Sequence, residues 1–230
     1  NAECMNISQG CTGFLVALRM AEMIIRSGSD NKNVLIVSAC KSSTLIDQFT
    51  HGSFFWGDAA IAAVVSRPDG AGLHYCGYSE ANSNSDWGAM RLKHGDGTHY
   101  GNCVPSNDLR IVVEFPNIRA QANYITGEID RCIAVIELLL DMHNLKIRDI
   151  RSVFFPSIGK NRVRTLLEGF PEIMDKVGTD FRYAHMGGVD VMFFVYNQLN
   201  ETTPQKEEWY IALTPAFTAQ WSGILLNYRV

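Results

Sequence analysis

The stretch Asn6-Ile7-Ser8-Gln9-Gly10-Cys11-Thr12-Gly13-Phe14 constrains this chain more than any other. It reads as a short apolar strand, a turn of small residues and the start of a helix with a cysteine in its first turn. A thiol placed there faces unpaired backbone N–H groups and the positive end of the helix dipole, and both favour the thiolate. The same N–H groups can hold the oxyanion of a carbonyl under attack. One turn thus offers a nucleophile and half of an oxyanion hole. A cysteine taken alone reads first as a small buried hydrophobe, so the rest of the chain has to decide.

Apolar residues at Phe14, Leu15, Leu18, Ala21, Met23 and Ile25 predict a largely buried helix that ends at Ser27-Gly28. Val34-Leu35-Ile36-Val37 is an unbroken apolar strand, the pattern of a strand covered by helices on both faces. A polar loop is expected over residues 39–53 and a second buried strand over residues 59–66. Pro68-Asp69-Gly70 is a turn and the expected boundary between residues 1–70 and 71–230. Residues 72–107 are rich in Gly, Asn, Ser and His and predict irregular strands and loops. A long amphipathic helix is expected over residues 117–143, with Ile125, Ile129, Ile133, Ile136, Leu139 and Leu140 on its apolar side. Beyond it come a strand at residues 152–155 and a C-terminal hairpin of residues 209–213 and 222–226.

The run Cys11 to Phe14, the helix and strand after it, and the segment Phe54-Phe55-Trp56-Gly57-Asp58-Ala59-Ala60 together resemble the ketoacyl synthase III group of the thiolase superfamily. The resemblance implies an α/β chain with the thiolase-like layered αβαβα fold, holding the end of the first half (1–70) and all of the second (71–230). Because that group's cysteine comes late in its first half, the missing part is expected on a separate, cleaved or omitted segment. The group carries Pro-His-Gln-Ala-Asn at the end of the strand that here delivers Pro156-Ser157-Ile158-Gly159-Lys160-Asn161-Arg162. Pro156 and Arg162 match, but Ser157 replaces a catalytic His. Arg182-Tyr183-Ala184-His185 resembles the strand and turn bearing the group's second catalytic position, which places His185 there. Asp190, five residues on, is expected to orient that imidazole if it turns inward. Thr214-Pro215-Ala216-Phe217-Thr218 resembles a Gly-Gly-Phe-Thr loop, so the backbone N–H groups of Cys11 and Ala216 are the expected oxyanion hole.

Composition removes other function classes. The formal net charge is −4 with no Lys/Arg cluster, which argues against nucleic acid. The longest apolar runs fall well short of the roughly 20 residues of a spanning helix, so no membrane is expected. Cys4, Cys11, Cys40, Cys76, Cys103 and Cys132 show no paired metal spacing. No metal and no cofactor are expected, and scattered thiols suit a cytoplasmic protein. The expected function is an acyltransferase of fatty acid or polyketide biosynthesis. Cys11 takes the acyl group from acyl-CoA or an acyl carrier protein, and His185 acts as base. Ser157 weakens the donor pair that decarboxylation needs, which leaves a condensing enzyme and a degenerate structural subunit as the alternatives. A homodimer or heteromer is the expected assembly.

Overall fold

The computed structural model describes residues 3–28, 33–44, 55–68, 70–83, 91–92, 113–115, 117–167, 170–216 and 219–230. Its helices are α1 (Gly13–Arg26), α2 (Ile118–Asp141), α3 (Lys160–Leu166), α4 (Pro171–Met174) and α5 (Asp190–Glu201). Its strands are β1 (Asn33–Lys41), β2 (Asp58–Ser66), β3 (Gly72–Asn82), β4 (Arg91–Leu92), β5 (Val113–Glu114), β6 (Ile150–Phe154), β7 (Glu208–Ala216) and β8 (Gln220–Arg229). The main sheet runs β3-β8-β7-β6, with β6 parallel to β7 and the other pairs antiparallel; β1 pairs antiparallel with β2, and β4 with β5.

The main sheet is apolar on both faces because helices cover both. On one side Ile211, Leu213, Trp221 and Leu225 pack against Tyr124, Val135, Ile136 and Leu139 of α2. On the other, Tyr210, Ala212, Ile224 and Leu226 meet Phe14, Leu15 and Leu18 of α1 and Val191, Phe194 and Val195 of α5. Burying a side chain of this size contributes about 1.5–3 kcal/mol, so the two clusters fix the angle at which α1 and α5 reach the sheet. The ends of those two helices carry the candidate chemistry.

Several sequence expectations need correcting. Residues 3–9 form no strand among the described residues. β1 continues through Lys41 into a 3-10 turn at Ser42–Thr44, so the expected polar loop starts later, and residues 45–54 lie outside the described residues. Among the described residues, β1 and β2 are covered on one face only. Leu35 (64% exposed), Val37 (68%) and Val64 (68%) stand on the open face, since α1 packs on the other. In α1, Met23 is exposed, while Phe14, Leu18, Ala21 and Ile25 make the buried stripe. In α2 Ile136, Leu139 and Leu140 are buried as expected, whereas toward its N-terminal end the buried positions are Tyr124, Glu128 and Cys132, with Ile125, Ile129 and Ile133 only partly buried. Tyr124 packs there against Trp221 of the sheet. Thr214–Ala216 belong to β7 rather than to a loop, and Phe217 and Thr218 lie outside the described residues. Most of residues 72–107 also lies outside; residues 72–82 form a strand whose pairing with β8 shifts register between Tyr75 and Gly77, an irregularity of the expected kind.

Candidate active site

Cys11 lies in a 3-10 turn, Gly10–Thr12, that runs directly into α1, so it sits just before the α-helix rather than inside its first turn. Gly10 makes the reversal with φ +56°, a conformation that suits glycine. The turn is held from three sides. Thr12 Oγ1 donates to the Gln9 carbonyl (2.8 Å) and to Gln220 Oε1 (3.1 Å), and Gln9 Nε2 donates to the same Gln220 oxygen (2.9 Å). Thr214 Oγ1 of β7 lies 3.5 Å from the Cys11 carbonyl. Gly188 presses in from the 3-10 turn Gly187–Val189, where a Cβ would stand 3.3 Å from the carbonyl oxygens of Gly10 and Cys11. A larger residue at 188 would require the Gly10–Thr12 turn to give by a few tenths of an ångström.

His185 arrives on the opposite wall. Its Nε2 is 3.4 Å from Cys11 Sγ, and its Nδ1–H donates to Asp190 Oδ2 at 2.7 Å. Cys11, His185 and Asp190 therefore stand in line, and all three are buried. Asp190 is the first residue of α5, and the helix start turns its carboxylate inward. It also accepts from the backbone N–H groups of Ser157 (2.9 Å) and Met186, so one carboxylate fixes two loops and the imidazole. Burial opposes the charge on His185, but the Asp190 carboxylate and then the Cys11 sulfur outweigh it. The imidazolium pKa is pushed up to about 10.

The remaining expected site residues are placed differently. Ser157 is buried beside this line, bonded through its backbone to Asp190, but its hydroxyl donates to the Tyr183 carbonyl (2.5 Å). Its one proton is therefore directed at the loop that carries His185. Ala216 is the last residue of β7, paired with Gln220, and its carbonyl accepts from Tyr124 Oη at 3.4 Å. β7 borders the Gly10–Thr12 turn, with Thr214, two residues before Ala216, reaching the Cys11 carbonyl.

Two residues given no role by the sequence reading belong to the site. Trp56 packs its ring on the His185 imidazole, with centroids 4.7 Å apart. Gln220 anchors the Gly10–Thr12 turn through Gln9 and Thr12. The signal for Trp56 was its place in Phe-Trp-Gly-Asp. For Gln220 there was none, because its partners lie more than 200 residues away.

Residues 5–81 match the family model described as 3-oxoacyl-[acyl-carrier-protein (ACP)] synthase III. Beta-ketoacyl-[acyl-carrier-protein] synthase III of Sulfurimonas denitrificans is 41% identical over 70 residues, which is 30% of this chain and 21% of that protein. The sequence match thus spans about a fifth of that relative's length. Among solved structures, beta-ketoacyl-[acyl carrier protein] synthase III of Thermus thermophilus superposes with a TM-score of 0.77 at 16% identity, covering 97% of this chain and 67% of that one. ChlB3, described as an acyltransferase, superposes with a TM-score of 0.77 at 18% identity, covering 98% and 68%. Residues 5–81 thus resemble the 3-oxoacyl-[acyl-carrier-protein] synthase III family in sequence, and the chain shares the α/β fold of the solved synthase III structures over nearly its whole length.

Proposed function

We propose that the chain carries the acyl-transfer site of an enzyme that loads an acyl group onto Cys11 and passes it to an acceptor. The observation that supports this best is the buried line Cys11–His185–Asp190, with 3.4 Å between sulfur and imidazole and 2.7 Å between imidazole and carboxylate. The Cys11 sulfur attacks the carbonyl carbon of a thioester donor, acyl-CoA or acyl carrier protein, and the carbonyl oxygen becomes an oxyanion. Backbone N–H groups of the Gly10–Thr12 turn are its stabilisers, with Ala216 the candidate for the second donor. The tetrahedral adduct collapses by breaking the bond to the donor sulfur, and His185 Nε2 gives that sulfur its proton. The neutral imidazole then takes the proton of the acceptor as it attacks the acyl-cysteine, which regenerates free Cys11. Asp190 holds the ring in the tautomer both steps need.

Decarboxylative condensation is the second reading, favoured by the family match over residues 5–81. It asks for paired donors at an enolate, and Ser157 spends its hydroxyl proton on Tyr183. That arrangement supports simple transfer over condensation. Supporting the complete unit as a larger assembly is the open apolar face of β1 and β2, where Leu35, Val37 and Val64 suit cover by a further segment or chain. In this reading residues 1–70 and 71–230 are parts of two similar halves.

The test is intact-mass measurement after incubation with a panel of acyl thioesters, followed by peptide mapping. The expected result is one acyl mass on Cys11, lost in Cys11→Ala. Label on another cysteine, with transfer intact in Cys11→Ala, would overturn the proposal.

A further inference from the structure

We propose that Trp56 is a positioning residue for the acyl transfer, its indole face holding the His185 ring in the charged, proton-donating form opposite Cys11. The inference rests on the acyl-transfer reading for the use of that charge, but its measurement does not depend on turnover.

Three observations converge on the pair. The two rings lie 4.7 Å between centroids at an interplanar angle of 48°, and Trp56 is only 6% exposed. The backbones are bridged from both sides: the His185 N–H donates to the Phe55 carbonyl at 2.7 Å, and the Gly57 N–H donates to the His185 carbonyl at 2.8 Å. Gly57 closes the contact, since a Cβ there would lie 2.9 Å from the Ala184 Cβ. The segment 55–57 therefore cannot slide along His185 without breaking two hydrogen bonds.

A cation over an aromatic face is attracted by the ring quadrupole, most strongly over Trp and most strongly when water is excluded. Among the described residues, the imidazole meets Asp190 of α5 at Nδ1 and Cys11 of the Gly10–Thr12 turn at Nε2, and the Cys40 thiol of β1 lies beside Gly187. Asp190 and Cys11 act in the plane of the ring, along its N–H directions. Trp56 meets the ring at an interplanar tilt of 48°, centroid to centroid at 4.7 Å, within reach of a cation–π attraction. The two in-plane partners fix which nitrogen meets the sulfur, and Trp56 adds to the stability of the cation while restricting the ring's tilt.

The test uses the full chain. An imidazolium in contact with an indole quenches its emission, so tryptophan emission followed from pH 5 to 11 should rise as His185 loses its proton, with a midpoint near 10. Four tryptophans are present, and Trp56→Phe and His185→Asn should each abolish the rise. In parallel, the ring-nitrogen resonances of His185 give its midpoint directly. Trp56→Leu should lower it by about one pH unit, a tenfold change in proton affinity, while Trp56→Phe should keep most of it. An unmoved midpoint in Trp56→Leu, or a wild-type emission curve identical to that of Trp56→Phe after subtraction, overturns the proposal. If Trp56→Leu fails to fold, the wild-type emission titration and Trp56→Phe still decide. A protein that shows the shift yet takes no acyl group would keep this inference and sink the acyl-transfer reading. Transfer without the shift would do the reverse.

Discussion

Asp190 joins the local geometry to the chemistry, because a single carboxylate accepts hydrogen bonds from the His185 ring and from the backbone of Ser157 and Met186. Asp190→Asn should therefore cost both activity and stability. We expect acyl loading to fall by about 10²- to 10⁴-fold, read by single-turnover mass measurement, since the base loses its orienting anion. The pH dependence of stability carries a sign. The folded-state pKa of His185 lies at about 10, above the ordinary 6.5. Its contribution is complete below pH 6.5 and is lost as pH rises toward 10, because over that interval the folded state binds more protons than the unfolded one. Thermal melts should thus show stability falling between pH 6.5 and 10, and the slope should flatten in Asp190→Asn. A slope identical in both proteins would show that Asp190 does not hold the imidazolium. Ser157 supplies a contrasting case. Its hydroxyl serves the Tyr183 carbonyl, so Ser157→Ala should lower stability by about 1 kcal/mol while Cys11 is still acylated.

At the scale of elements, α2 and α3 are tied by a buried pair: Arg162 donates to Glu128 at 2.7 Å, and burial raises the Glu128 pKa against the opposing pull of the guanidinium. Removing one partner strands the other. Arg162→Ala should destabilise by about 3 kcal/mol in urea melts, with a smaller loss if the stranded carboxyl takes up a proton. The β1–β2 pair behaves in the opposite way. Leu35 and Val64 face each other across the strands on a surface that the described residues leave open. Replacing both with Lys should change the melt of this chain by less than about 1 kcal/mol and abolish association with whatever covers that face. Native mass measurement reads the second effect, and association that survives both charges would place the interface elsewhere. The same strands show how far periodicity carries. An unbroken run such as Val34 to Val37 implies two covered faces, and the described residues cover one.

For the whole molecule, the choice between transfer and condensation turns on one missing donor. A malonyl thioester should be decarboxylated slowly by a protein whose Cys11 acylates normally, because losing one preorganised donor costs about 3 kcal/mol, roughly a hundredfold in rate. Release of labelled carbon dioxide measures this. Rapid release would show that His185 and its neighbours suffice, and would raise the condensing reading above the acyltransferase one.

Much of the architecture was legible because it is local. The helix at residues 118–141, the C-terminal hairpin and the α/β alternation follow from apolar period and turn chemistry that act over a few residues. Cys11, His185 and Asp190 were legible as candidates through motif and resemblance, since each sits at the end of an element whose local pattern is clear. Distance and direction were not. The sequence places Cys11 and His185 174 residues apart, and only the packing of α1 and α5 on one face of the main sheet brings them to 3.4 Å. It could not show that Ser157 would turn its proton to Tyr183, that Gln220 would anchor the nucleophile turn, or that Trp56 would cover the imidazole. The order of elements is written in near-neighbour preferences. Which side chains converge depends on how the buried faces interlock, and that is decided when the whole core packs at once.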